Sequence, residues 1–273
     1  MAYEVNSTGA VKKLRQPEAR GMREGGMSAS IVREHITLAV AGVHLKGDLA
    51  LPAQAYALVV FAHGSGCNPK SHRNRDIARA LEHAGFGTLL LDLLTADEET
   101  AEHEAMARSF EVEALASRLA DSTDWLGAQA TTRSLSIGYF GAGTGAAVAL
   151  TAAAERPMAV RGVVCQAGRT DLAAAAMPRI EAPTLLIADS DDPTGLELNR
   201  EAMTTLRCER GLSRVAGASH LLAEPGSLER VASLAAEWFE HHLPRQGAAV
   251  KAWGPGGPAH CESFRPAHRG HGP

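Results

Sequence analysis

Six short apolar runs divide this chain, and the stretches between them mostly have helical spacing. The runs are ALVVFAHG (57–64), GTLLLDLL (87–94), LSIGYF (135–140), RGVVCQAG (161–168), PTLLIADS (183–190) and GLSRVAG (211–217). A continuous apolar run of this length, closed by glycine or polar residues, reads as a strand buried on both faces. Helical stretches are expected at 72–85, from Glu98 to Leu126, at 143–155 and at 227–243, with further helices between the later strands. Two runs of period-two character, IVREHITLAV (31–40) and HLKGDLAL (44–51), lie close together and predict an antiparallel pair at a sheet edge. Strands alternating with helices imply an α/β fold, a mostly parallel central sheet with helices on both faces. Aromatic residues make up only 4% of the chain, which argues against an all-β sandwich.

Both ends have a different composition. Residues 1–30 are polar without a sustained period and are expected to form a disordered leader, with Met22 and Met27 as possible later starts. Residues 245–273 are rich in Gly, Pro and His and are expected to form a disordered tail. The domain proper is therefore read as 31–244. His260, Cys261, His268 and His271 in the tail match no standard ligand spacing, so no metal is expected there. The four cysteines (Cys67, Cys165, Cys208, Cys261) form no C-x-x-C pair, which points to reduced thiols and a cytoplasmic setting. A net charge of −4 suggests no nucleic-acid partner. No apolar run is long enough to span a membrane, and no signal peptide is visible. Oligomeric state is not legible in the sequence.

In open α/β sheets, ligands bind beyond the carboxyl ends of the strands. Four segments there carry candidate chemistry: His63-Gly64-Ser65-Gly66, Gly141-Ala142-Gly143-Thr144-Gly145, Asp189-Ser190-Asp191-Asp192, and Gly217-Ala218-Ser219-His220. Taken together, with the runs VVFAHGSG, TLLLDLLTADEE, IGYFGAGTGAA and RCERGLSRVAGASHLLAEPG, they resemble the α/β-hydrolase family in its dienelactone-hydrolase-like branch. The resemblance covers about residues 32–244. Members of this branch occur alone or joined to a phosphoribosyltransferase domain, of which no signature is found here.

The resemblance implies an α/β-hydrolase fold without a large cap domain, and a triad in the chain order nucleophile, acid, histidine. Gly143, Asp192 and His220 fall at those places. Asp189 and Asp191 compete with Asp192 for the acid role, and alignment with the family's acid favours Asp192. The oxyanion hole maps to the backbone N–H groups of Thr144 and of Ser65 or Gly66. Gly141 and Gly145 flank the elbow. The family's elbow carries Ser or Cys where this chain has Gly143, and glycine has no side chain with which to attack a carbonyl. Weak or absent serine-hydrolase turnover of an ester or lactone is therefore expected, with no cofactor. Thr144, Ser65, Cys67, or a water held by His220 are candidate stand-ins for the nucleophile.

Two other readings stand beside this one. The chain could be a non-catalytic binder of a small ester, lactone or carboxylate. Alternatively, Gly141-x-Gly143-x-x-Ala146 matches a dinucleotide-binding fingerprint of an NAD(P)-dependent oxidoreductase. The ribose-binding acid which that fingerprint requires is absent from the end of the next strand, where Arg169 and, slightly beyond it, Asp171 are the only charged candidates.

Overall fold

The computed structural model describes residues 30–62, 72–95, 97–98, 112–218, 222 and 224–243, and the backbone of 3–5, 11–13 and 261–264. Its strands are β1 (Tyr3–Val5), β2 (Val11–Lys13), β3 (Ile31–Val40), β4 (Val43–Pro52), β5 (Ala57–Ala62), β6 (Gly87–Leu91), β7 (Ser136–Ala142), β8 (Val160–Gln166), β9 (Thr184–Asp189), β10 (Arg210–Val215) and β11 (Cys261–Phe264). Its helices are α1 (His72–His83), α2 (Val112–Ala128), α3 (Thr144–Glu155), α4 (Pro193–Thr205) and α5 (Ser227–His242).

The main sheet runs β11-β10-β9-β8-β7-β5-β6-β4-β3. From β6 to β10 every pairing is parallel, while β3, β4 and β11 run antiparallel to their neighbours. The expected antiparallel edge pair is β3–β4. Its two-residue turn, Ala41-Gly42, has positive φ at both positions (49° and 76°), the geometry that matches the twist of a tight hairpin. β1 and β2 pair with each other. Thus β1 and β2 fall in the segment read as a leader, and β11 in the segment read as a tail.

The sheet separates two apolar layers, and β5 shows why. All six of its residues are buried. Ala57, Val59 and Phe61 pack with Ile77 and Leu81 of α1 and Phe239 of α5. Leu58, Val60 and Ala62 pack with Leu119 of α2 and Leu150 of α3. Successive side chains on a strand point to opposite faces, so a strand covered on both sides must be apolar throughout. Burying each of the larger side chains contributes about 1.5–3 kcal/mol.

β7 sits at the centre, and two glycines let helices reach it from opposite sides. A Cβ on Gly138 would lie 2.8 Å from the Phe239 ring of α5. A Cβ on Gly141 would lie 2.3 Å from the Gly145 carbonyl oxygen of α3. Every residue of α3 from Gly145 to Ala154 is buried, and six of them are alanine, so the helix presses close to the sheet.

One expectation about helices is corrected, that of a helix between β8 and β9. Of the helix expected from Glu98 to Leu126, the structure describes α2 from Val112 onward and a helical turn at Asp97 and Glu98. Glu98 is half-buried. Its carboxylate accepts from the Thr95 backbone N–H (2.8 Å), while its own N–H donates to Thr95 Oγ1 (3.3 Å), a reciprocal cap. Both its oxygens are also gripped by Arg118 at 2.7 Å. Between β8 and β9 there is no α-helix but two 3-10 turns, Thr170–Ala173 and Met177–Arg179. Pro178 and Pro183 leave too short a stretch there for a helix to continue.

No inserted domain separates β7 from Asp192, a stretch that is described throughout. Among the described residues, no helix is long and apolar enough to cross a membrane.

Candidate active site

Parallel pairing places the carboxyl ends of β7, β8, β9 and β10 side by side, in that order across the sheet. The segments that follow β7, β9 and β10 thus start from one edge. β5 adjoins from the other side, and its last residue, Ala62, stands opposite Gly141. Ser65 and Gly66, with Cys67, lie outside the described residues, as does His220.

Gly143 forms the turn from β7 into α3. Its backbone has φ 56° and ψ −122°, a region that L side chains seldom adopt. A Cβ built on Gly143 meets nothing within 4 Å, so the space above it is open. Hydrogen bonds hold the turn from the side. The Gly143 N–H donates to the Gln166 carbonyl (3.0 Å), and the Gly143 carbonyl accepts from the N–H groups of Ala146 (3.2 Å) and Arg169 (3.0 Å). Thr144, half-buried, begins α3. The first turn of a helix offers backbone N–H donors and a partial positive charge to an anion held above it.

The two glycines of the G-x-G-x-x-A run therefore have separate structural causes. Gly141 yields to the approach of α3, and Gly143 to its own positive φ. Arg169, the residue weighed as a phosphate ligand, forks onto Asp171 through Nε (2.9 Å) and an Nη (2.8 Å). That guanidinium holds the Asp171 carboxyl below its ordinary value.

The aspartates after β9 divide into distinct roles. Asp192 is exposed and caps α4, accepting from the Gly195 N–H at 3.0 Å through Oδ1. Asp189 turns back into the backbone, where its Oδ1 accepts from the N–H groups of Asp191 (3.0 Å) and Gly217 (3.1 Å). Asp191 is exposed, and its backbone N–H serves Asp189. Beside Asp189, the buried Gln166 side chain donates to the Ala218 carbonyl at 2.8 Å. The loop after β10 is thus tied to both β8 and β9, and Leu222 within that loop has φ 45°.

A cleft of about 310 Å³ opens along this edge, lined among others by Gly168, Arg169, Asp171, Asp189, Asp192 and Asn199. Asn199 is fully buried and donates from Nδ2 to the Gly195 carbonyl at 2.7 Å. Sequence reasoning passed over Asn199, and it gave Arg169 and Asp171 only a cofactor role. Asn199 lies in mid-helix, and its position over the cleft follows from how α4 packs.

The family model of the dienelactone hydrolases matches residues 45–242, which takes in the whole of this edge. The chain belongs to the dienelactone hydrolase family. It is 45% identical to dienelactone hydrolase from Anabaena variabilis, whose crystal structure it matches with a TM-score of 0.76 over 78% of this chain and 99% of that one. It is also similar, at 48% identity over 210 residues, to a Mycobacterium tuberculosis H37Rv protein with a provisional phosphoribosyl transferase name. That match covers 77% of this chain but 46% of the relative, so the chain spans about half the length of the curated protein. A cold-adapted esterase from an Arctic intertidal metagenomic library shares the fold, with a TM-score of 0.62 at 18% identity. Gly143 follows the central strand β7 and stands at a later strand-to-helix turn than the first.

Proposed function

We propose that this chain is an ester- or lactone-handling domain of the dienelactone hydrolase family in which the nucleophile is missing and serine-hydrolase turnover is weak or absent. One observation carries the reading. Gly143 keeps the positive φ of a strained strand-to-helix turn, with open space where a side chain would stand, at the centre of a family site. In the family elbow, a serine or cysteine held in that conformation projects toward the substrate. Asp192 is the acid of this reading, His220 the base, and the backbone N–H groups of Thr144 and of Ser65 or Gly66 the oxyanion donors.

Without a side chain at Gly143, no acyl-enzyme forms at the elbow. In this reading water takes the place of the missing nucleophile and attacks directly. His220 would take the proton as water adds to the carbonyl, and would return it to the leaving oxygen as the ester C–O bond breaks. A site lacking one member of a triad that acts as a unit retains only about 10³–10⁴-fold catalysis over water. The small substrate expected of an uncapped site is an ester, a lactone or a related carboxylate.

The test compares the parent, Gly143→Ser and His220→Ala on short p-nitrophenyl esters. Low activity in the parent that disappears in His220→Ala supports water-based hydrolysis. Activity only in Gly143→Ser identifies a binding protein on a hydrolase scaffold, the second reading, which the Arg169- and Asn199-lined cleft also supports. No activity in either form, with correct folding, would remove the esterase reading.

A further inference from the structure

At the opposite edge of the sheet from Gly143, the chain gathers three metal-binding side chains that the hydrolase chemistry does not use. Glu209 immediately precedes β10, and His241 and His242 close the last turn of α5. One ligand atom from each, two imidazole nitrogens and a carboxylate oxygen, lie within 4.8 Å of one another. We infer that Glu209, His241 and His242 form a binding site for Zn2+.

Adjacent residues on a helix point about 100° apart, so two consecutive histidines converge only if packing turns them. Here packing does so. The His242 ring is 7% exposed and lies against the Trp238 ring, with centroids 4.3 Å apart. His241 meets His242 edge-on, with centroids 4.6 Å apart and planes at 85°. Two imidazoles and one carboxylate are a donor set suited to Zn2+, with a fourth position for water. Tetrahedral Zn2+ with bonds of about 2.0–2.2 Å sets its ligand atoms about 3.4 Å apart. The three groups must therefore draw together by about 1.4 Å at most. Glu209 and His241 are half-buried, while the buried His242 ring, held against Trp238, is the fixed point. The helix C-terminus adds a partial negative charge that favours a cation there.

A bound ion would clasp the end of α5 to the start of β10. The inference does not rest on the esterase reading, and its test does not use activity. Untagged, chelator-stripped protein is titrated with ZnCl2 by calorimetry, and its melting temperature is followed. The expected result is 1:1 binding with a raised melting temperature. Glu209→Gln and His241→Ala should each weaken binding about tenfold or more, and a His260→Ala/His268→Ala/His271→Ala variant should leave it unchanged. His242→Ala is avoided because that ring also packs on Trp238. No Zn2+ binding, binding abolished by the tail substitutions, or binding indifferent to Glu209 and His241 in folded variants would each overturn the site.

Discussion

Asp189 and Gly217, on neighbouring strands' exits from the sheet, are joined by a hydrogen bond of 3.1 Å from the Gly217 backbone N–H to Asp189 Oδ1. The same oxygen accepts from Asp191. One carboxylate thereby ties the loop that carries Asp192 to the loop that leads to His220. Asp189 holds the two loops together, and Asp192 is the acid of the proposed triad.

Removing that tie should loosen both loops. Asp189→Ala leaves two backbone donors without their acceptor, and a loss of about 1–3 kcal/mol is expected, measured as a lower urea midpoint. In the Gly143→Ser background, Asp192→Asn should lower kcat by about 10³–10⁴-fold. Asp189→Asn should act far less on kcat, because it keeps one acceptor oxygen. Equal effects on kcat would exchange the roles of the two aspartates.

The two elbow glycines should respond differently to a side chain. At Gly143 the space is open and only the positive φ opposes substitution, so Gly143→Ser should cost about 1–3 kcal/mol. At Gly141 a Cβ would collide with the Gly145 backbone at 2.3 Å, and α3 cannot move away without disturbing the buried core. Gly141→Ala should therefore cost more than Gly143→Ser, roughly 3 kcal/mol or above if it folds. Paired urea melts read the difference, and a stability gain in Gly143→Ser would contradict the strain at the turn.

The Glu98–Arg118 pair should shape the acid limb of stability. Hydrogen bonding to Arg118 holds the Glu98 carboxyl down at about 2, against an ordinary 4.5. A carboxyl depressed in the folded state stabilises fully above its unfolded value. That contribution fades as pH falls from about 4.5 and is gone once pH passes below about 2. Because both side chains are partly exposed, solvent screening reduces the effect to roughly 1–2 kcal/mol. Glu98→Gln should flatten the fall in stability between pH 5 and 2, seen in urea melts across that window.

The two buried thiols should be inert in the folded protein. Burial pushes both Cys165 and Cys208 above the ordinary thiol value. A thiol-specific reagent such as DTNB at pH 8 should therefore modify neither residue until the chain is unfolded in guanidinium. Peptide mapping after labelling distinguishes them from Cys67 and Cys261.

Much of this architecture was legible in the residue order. The apolar runs at 57–62 and 185–188 became the bodies of β5 and β9 because a strand covered on both faces favours apolar side chains throughout. The β3–β4 pair followed from the two-fold alternation and closeness of its two runs. The missing helix between β8 and β9 was not legible. Helical spacing shows a propensity, but the prolines at 178 and 183 decide where a helix stops.

At the site, the sequence by itself determined which residues stand at the strand ends, and it showed that position 143 has no side chain to react. Only the tertiary structure decided what those residues do. Asp189, Asp191 and Asp192 are nearly interchangeable by type and spacing. They acquire different roles because β10 brings Gly217 against one of them and α4 begins on another. Gly143 and Gly141 likewise share one letter and differ in cause, one relieving a backbone angle and the other a contact with α3. Such distinctions depend on what a residue touches across the sheet, and neighbours along the chain do not carry that information.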